Sequence, residues 1–498
     1  MIPYIIKSFR GGVSDENDKG VAGSFKHGHA LNIHDQNDIL TGKQAMATVF
    51  GNTQTTQTGI TQFFVPASDG TTYCFGSTGS IFAISGDTLD PDWTYVYSDE
   101  NGGIRGAAEW ELDTGVNYLY WATATSVSRK ELAGAEPARD SHRAYWTDVT
   151  LNLKTTLNNV EWHTMKNASG VLNIANGQSL ATVDFAGSFD ANKLNIRPGN
   201  LIKAIDERDD YSILGSERLD KSEEGHLWSW ITTATNWVQK KRIPVKGVNS
   251  IIDAEIRLLQ GGDDGELFFS DFVNAVPLHG IPGKGKTDPT GAAIENDLAV
   301  FGIYGSSAAY PGIWSYGRKR KNRPFALNYE YRLASGVTGS TISTTAAVAI
   351  VDGSLITSWG TTDGSVSEFG VDMVSSTTKA TALYEGLEFD GGVPYLKKIF
   401  DTVKVTMTPL VSGTSISVKY RTDKATSGGD SSAGAGWKYA VLGGGSTTFS
   451  DVDETEAIFT IGDSANVYEV GLELNPSSND SPEILSITTY LSNENYEF

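Results

Sequence analysis

The chain has 498 residues and a formal net charge of −21, from 60 acidic against 39 basic side chains. That surplus opposes nucleic-acid binding by phosphate neutralisation, and 39% apolar residues can fill packed cores, which excludes a disordered protein. A single cysteine, Cys74, excludes intrachain disulfides, and no apolar run approaches the ~18 residues of a membrane-spanning helix.

Residues 1–50 open with a candidate strand, Ile2 to Ile6, and continue through repeated turns in SFRGGVSDENDKGVAG. Gly11-Gly12 and Gly20 supply corners there. The opening MIPYIIKSFRGG lacks the apolar stretch of a secretory leader, so the expectation is a protein made in a cytoplasm. The segment reads as an extended N-terminal arm, of the kind that packs on a neighbour or closes a sheet.

From Ile60 onward a hairpin theme repeats. Apolar runs face one another across Asp69-Gly70, Thr114-Gly115, Ser169-Gly170, Asn176-Gly177, Asp209-Asp210, Asp264-Gly265, Asp352-Gly353 and Asp363-Gly364. In the stretch Asn296–Arg323, a polar corner precedes an apolar strand, Leu298 to Ile303, and a second strand, Ile313 to Tyr316. Asp-Gly and Asn-Gly between apolar runs mark hairpins, because tight turns of that type need positive φ at both central residues. No single unit can bury its own faces, so neighbours must stack around a ring. Residues 51–385 are therefore expected to form a β-propeller of six or seven blades. The rhythm breaks at LEFDGGVP, and five strands with period-2 alternation follow. Residues 386–498 read as a C-terminal β-sandwich. The fold class is all-β.

Several motifs invite chemistry. GIPGKGKT, Gly280 to Thr287, spells a phosphate-binding loop with Lys286 and Thr287 in the key places. A helix must follow such a loop, and Pro289 and Gly291 oppose one, so an inter-blade connection is expected. His27, His29 and His34 cluster beside Asp35 without the acidic or cysteine partners of a metal centre, and no metal site is expected. DENDKG imitates the start of a calcium loop, but Lys19 stands where an oxygen ligand belongs. Cys74 lies in an apolar strand and reads as a buried thiol. Trp228, Trp230, Trp237, Trp314 and Trp359 read as blade core sooner than sugar platforms. No nucleophile elbow, metalloprotease motif or coherent carboxylate pair is present, so no catalytic residue and no cofactor is expected. The candidate interaction site is the dense basic run Arg318, Lys319, Arg320, Lys321 and Arg323, a docking point for an acidic surface or passing phosphates.

Three segments carry a resemblance. SFRGGVSDENDKG…GHALNIH resembles the starts of bacteriophage tail and neck proteins. IWSYGRKRKNRPFALNYEY resembles a blade of phage structural proteins, and NVYEVGLELNPSSNDSPEILSITTYL looks like their terminal sandwich. Arm, propeller and sandwich together are similar to the hub or nozzle proteins of short-tailed phages. The resemblance implies a non-enzymatic virion component assembled in the host bacterial cytoplasm. It implies a homo-oligomer, with a hexameric ring favoured, that meets neighbouring tail, neck and fibre proteins and lets DNA pass without specific binding. Two alternatives are a trimeric tail-tip or fibre-base protein that binds a receptor, and a propeller that binds or cleaves glycans.

Overall fold

The computed structural model describes residues 2–493 other than 15, 17–19, 36–37, 51–58, 86–91, 133–145, 147–148, 221, 305–309, 334–341, 364–365 and 424–435. Two features singled out in the sequence, the Asp363-Gly364 turn and DENDKG, lie partly or mostly outside these residues. The described residues contain strands and no helix.

The strands from residue 44 to residue 379 group into seven four-stranded antiparallel sheets. The first is Thr61–Pro66, Thr72–Gly76, Ser80–Ser85 and Asp92–Ser98. The second is Gly106–Glu111, Asn117–Ala122, Val127–Glu131 and Val149–Lys154. The third is Met165–Ala168, Val171–Asn176, Ser179–Val183 and Phe189–Asn195. The fourth is Asn200–Arg208, Tyr211–Arg218, Gly225–Trp230 and Gln239–Ile243. The fifth is Val248–Asp253, Arg257–Gly261, Glu266–Ser270 and Ala275–Gly280. The sixth is Ala292–Glu295, Leu298–Ile303, Gly312–Gly317 and Ala326–Tyr331. The seventh is Ile342–Val351, Ser354–Asp363 and Val366–Lys379, with Gln44–Phe50 as its last strand.

Contacts divide the chain into two compact units, residues 47–312 with 333–373, and residues 1–46 with 313–332 and 374–498. In the larger unit the first strand of each sheet touches the first strand of the next, from Thr61–Pro66 round to Ile342–Val351, which touches Thr61–Pro66 again. That closed ring of seven is a β-propeller, at the upper end of the expected six or seven. Gln44–Phe50 is held on the last sheet by a side-chain bond as well, for Thr48 Oγ1 donates to Asp372 Oδ1 (2.9 Å).

The inner strands of the blades are buried on both faces and carry apolar runs, as in Leu298–Ile303, whereas outer strands such as Phe189–Asn195 and Gln239–Ile243 are largely exposed and polar. Successive side chains of Asn117–Ala122 go to opposite sides. Leu119 and Trp121 pack with Phe63 and Phe75 of the first blade, while Tyr120 and Ala122 pack with Leu172 and Ile174 of the third. Tyr73 and Phe75 face the second blade, and Cys74 between them faces Val351, Ile356 and Val371 of the seventh. The turns are those their residues demand: Ser169-Gly170, Asn296-Asp297 and Asp352-Gly353 all have positive φ.

Besides the short parallel pair Gly12–Val13 and Ser24–Phe25, the smaller unit holds two larger sheets. One runs Ile2–Ile6, Ile484–Asn493, Lys398–Met407, Glu456–Ala465. The other runs Lys438–Tyr439, Ser415–Thr422, Tyr468–Asn475, Ala382–Glu385, His27–His29, with Thr448–Phe449 beside Ser415–Thr422. Phe400 of the first stacks on Tyr468 of the second at 4.3 Å between ring centroids, and Val403, Val405, Val418 and Leu472 are fully buried. The five strands read from the sequence are here, in a sandwich. The segment 1–50, read as an extended arm, is tied in at three places: one strand in each sandwich sheet and Gln44–Phe50 in the seventh blade. Each supplies hydrogen-bond partners to a strand that would otherwise be an open edge.

Candidate functional site: a polar cleft between two blades

Deep in the seam between the fourth and fifth blades, Ala204, Leu227, Val248, Leu259 and Phe268 pack as ordinary core. Toward the end where Asn200–Arg208 turns into Tyr211–Arg218, the seam opens into a cavity of about 340 Å³. Arg208, Tyr211, Ser229, Gln239, Arg257 and Phe272 line it.

Strand ends place each of these groups. Arg208 closes one strand and Tyr211 opens the next, across a turn in which Asp209 has φ 51°. Arg257 is the first residue of its strand and only 3% exposed. Its Nη2 lies 3.5 Å from Asp253 Oδ2, and Arg208 Nε lies 3.7 Å from the same oxygen. One carboxylate thus holds two guanidinium groups loosely. The Arg257 guanidinium lies over the Phe272 ring, 5.3 Å from its centroid. Burial pulls the Arg257 pKa below its ordinary value while Asp253 opposes the shift, and an arginine so held stays charged. Its Nε and the Ser229 Oγ are buried without a hydrogen-bond partner.

Phe272 is a non-glycine residue with φ 67°. Asp271 imposes that conformation, accepting from the backbone N–H groups of Val273 (2.9 Å) and Asn274 (2.5 Å). A left-handed aromatic residue beside two unpartnered buried polar atoms is the combination that most sets this place apart.

The residues singled out in the sequence fall elsewhere. In GIPGKGKT no helix follows the loop. Lys286 exchanges backbone hydrogen bonds with Tyr304, the Thr287 N–H donates to Gln260 Oε1 (3.0 Å), and Lys284 pairs with Asp264 (2.9 Å). Beside it Asp288 accepts from Tyr304 Oη (2.5 Å), and burial pushes its carboxyl up to about 6.

The basic run lies in the smaller unit, between Gly312–Gly317 and Ala326–Tyr331. Arg323 is buried and donates to the His34 carbonyl (2.6 Å), Lys319 pairs with Asp35, and Arg318 lies over the Phe325 ring at 4.6 Å. Arg320 and Lys321 are exposed. The histidines separate. His27 and His29 are buried beside Tyr329, whereas His34 lies against Ser315 (3.3 Å) and Glu330 (3.5 Å). Lys43 closes that network on fully buried Glu330. Burial pulls the His34 pKa down to about 4 against the pull of Glu330. Among the described residues no three His, Cys, Asp or Glu side chains are grouped to hold a metal.

Sequence reading placed Trp228, Trp230, Trp314 and Trp359 in the core, where all four are buried, and Trp237 with them, which is 38% exposed. It missed the cleft, whose residues come from the ends of five strands and one loop. The signal available was local: an arginine opening an apolar strand, and a phenylalanine between Asp271 and Asn274 in a four-residue loop.

No family model and no curated protein matches the chain. Among solved structures it is similar to the extracellular domain of the hybrid two-component system BT4673 from B. thetaiotaomicron, at 12% identity and TM-score 0.43 over 80% of this chain. It spans 45% of that chain's length. It is also similar to the WD40 propeller domain of Doa1, at 13% identity and TM-score 0.43, covering 67% of this chain and 97% of that one. The Dos1 propeller matches at 13% identity and TM-score 0.37, over 61% and 75%.

Proposed function

We propose that this protein is a non-enzymatic structural subunit of a bacteriophage tail, built into a ring, six-membered by preference, around the channel through which DNA leaves. The observation that carries the reading is the self-closed propeller. Its seventh sheet is completed by the chain's own Gln44–Phe50, so the ring is a finished block before any partner arrives. The three sequence segments that resemble phage virion proteins support the same reading.

The physical logic is electrostatic and geometric. At −21 per copy, acidic groups facing a lumen repel phosphates, so DNA slides and does not stick. The outermost strands of the blades are edges that carry exposed apolar side chains, Leu151 and Val276 among them, which suits burial against neighbouring copies. Arg320 and Lys321 would meet an acidic partner in the tail or neck, or a fibre protein.

Mass photometry of the purified chain and class averages of particles test it. Sixfold rings are the expected result. Threefold particles would transfer the reading to a tail-tip or fibre-base protein, and a monomer absent from virions would overturn it.

A further inference from the structure

We infer that the cleft between the fourth and fifth blades is a binding site for a saccharide, with room for about one or two sugar rings. The inference stands on the cleft alone and is independent of the assembly proposed above.

The charges decide the ligand class. Arg208 and Arg257 already face Asp253, and Asp209 and Asp271 also line the opening. Two guanidinium groups against three carboxylates leave no surplus positive charge, so this is not a trap for a phosphate or a free acid. The cleft offers donors and acceptors side by side. Ser229 Oγ and the Gln239 amide can do both, Arg257 donates, and the carboxylates accept. A ligand dense in hydroxyl groups, each a donor and an acceptor, satisfies such a mixture. Two of the groups, Ser229 Oγ and Arg257 Nε, are buried without a partner, which is costly unless water or a ligand supplies one.

The apolar surfaces fit the same class. Tyr211 is 37% exposed at the mouth, and Phe272 lies inside under the Arg257 guanidinium. The exposed Tyr211 ring can take the C–H face of a pyranose while the polar rim takes its hydroxyls, and Phe272, covered by the guanidinium and packed on the seam core, gives an apolar wall. The volume, about 340 Å³, lies at the small end of ligand sites. The Asp271 turn holds Phe272 at φ 67° beside the cleft.

The test uses the full chain. An array of neutral oligosaccharides ending in glucose, galactose or N-acetylglucosamine is screened, and hits are titrated by NMR beside inorganic phosphate and acetate. At least one neutral saccharide is expected to bind. Tyr211→Ala and Gln239→Ala, both at exposed positions, are expected to weaken it at least roughly tenfold with the thermal melt retained. Arg257→Lys adds the buried group, and the first two variants keep the test valid if it fails to fold. Binding of no saccharide, equal binding by both exposed-site variants, or binding of phosphate or acetate without neutral sugars would each overturn the inference.

Discussion

The seam between the first and second blades and the seam between the fourth and fifth occupy equivalent places in the ring and differ in chemistry. The first is filled by Phe63, Tyr73, Phe75, Trp121, Trp146 and Trp162. Of its polar tips, Trp121 Nε1 donates to Asp99 (2.7 Å) and Tyr73 Oη to Asp69 (2.8 Å), while Trp146 Nε1 and Trp162 Nε1 are enclosed by rings without a partner. The second begins as core and ends as a cavity, and its unpartnered atoms, on Arg257 and Ser229, line that open space instead of being sealed among aromatic rings. A propeller needs its seams for cohesion. It can leave one unfinished at the rim because closure spreads cohesion over the whole ring.

Trp121→Ala breaks the filled seam. It removes a fully buried indole and the donor to Asp99, and should cost about 3–5 kcal/mol, read as a lowered midpoint in urea unfolding. A loss below about 1 kcal/mol would mean that the seams do not carry the ring's stability.

Asp288 sharpens the contrast, as a polar group set inside the ring with little access to water. Its folded pKa, about 6, lies above the ordinary 3.8. The folded state therefore holds the proton between those values, and stability from this group is full below about pH 4 and lost as pH rises through 6. Asp288→Asn keeps the Tyr304 hydrogen bond and should flatten that limb, raising stability at pH 8 by up to about 3 kcal/mol while changing little at pH 4. Equal effects at both pH values would refute the assignment.

His34, in the smaller unit, predicts the opposite slope. Burial lowers its pKa to about 4 from 6.5, so stability present above pH 6.5 is lost as pH falls toward 4. His34→Asn should remove up to about 3 kcal/mol of that acid sensitivity, measured by denaturant titrations at pH 4.5 and 7.

The smallest stability effect belongs to the unfinished seam. Tyr211→Ala, at a half-open position, should move stability by no more than about 0.5 kcal/mol. Thermal melts compared with those of Trp121→Ala give the contrast directly. A loss as large as that of Trp121→Ala would make the cleft rim structural after all.

Blade strands were legible where both faces are buried and apolar residues run together, as in Leu298–Ile303. Turns were legible where two consecutive residues must take positive φ, as at Asp352-Gly353. The fate of residues 1–50 was not, because a strand such as Ile2–Ile6 declares its period and not its partner, which lies at Ile484–Asn493. The basic run read as one site, yet Arg323 and Lys319 are spent on His34 and Asp35 while Arg320 and Lys321 reach solvent.

Composition, period and turn chemistry are local properties, and they alone determined an all-β chain of repeating hairpins followed by a sandwich. Which strand completes the ring depended on a pairing between residues hundreds of positions apart, and which seam stays open on groups brought together from separate hairpins. Only the tertiary structure decided these, because hydrogen-bond partners and unmet polar atoms are properties of neighbours in space.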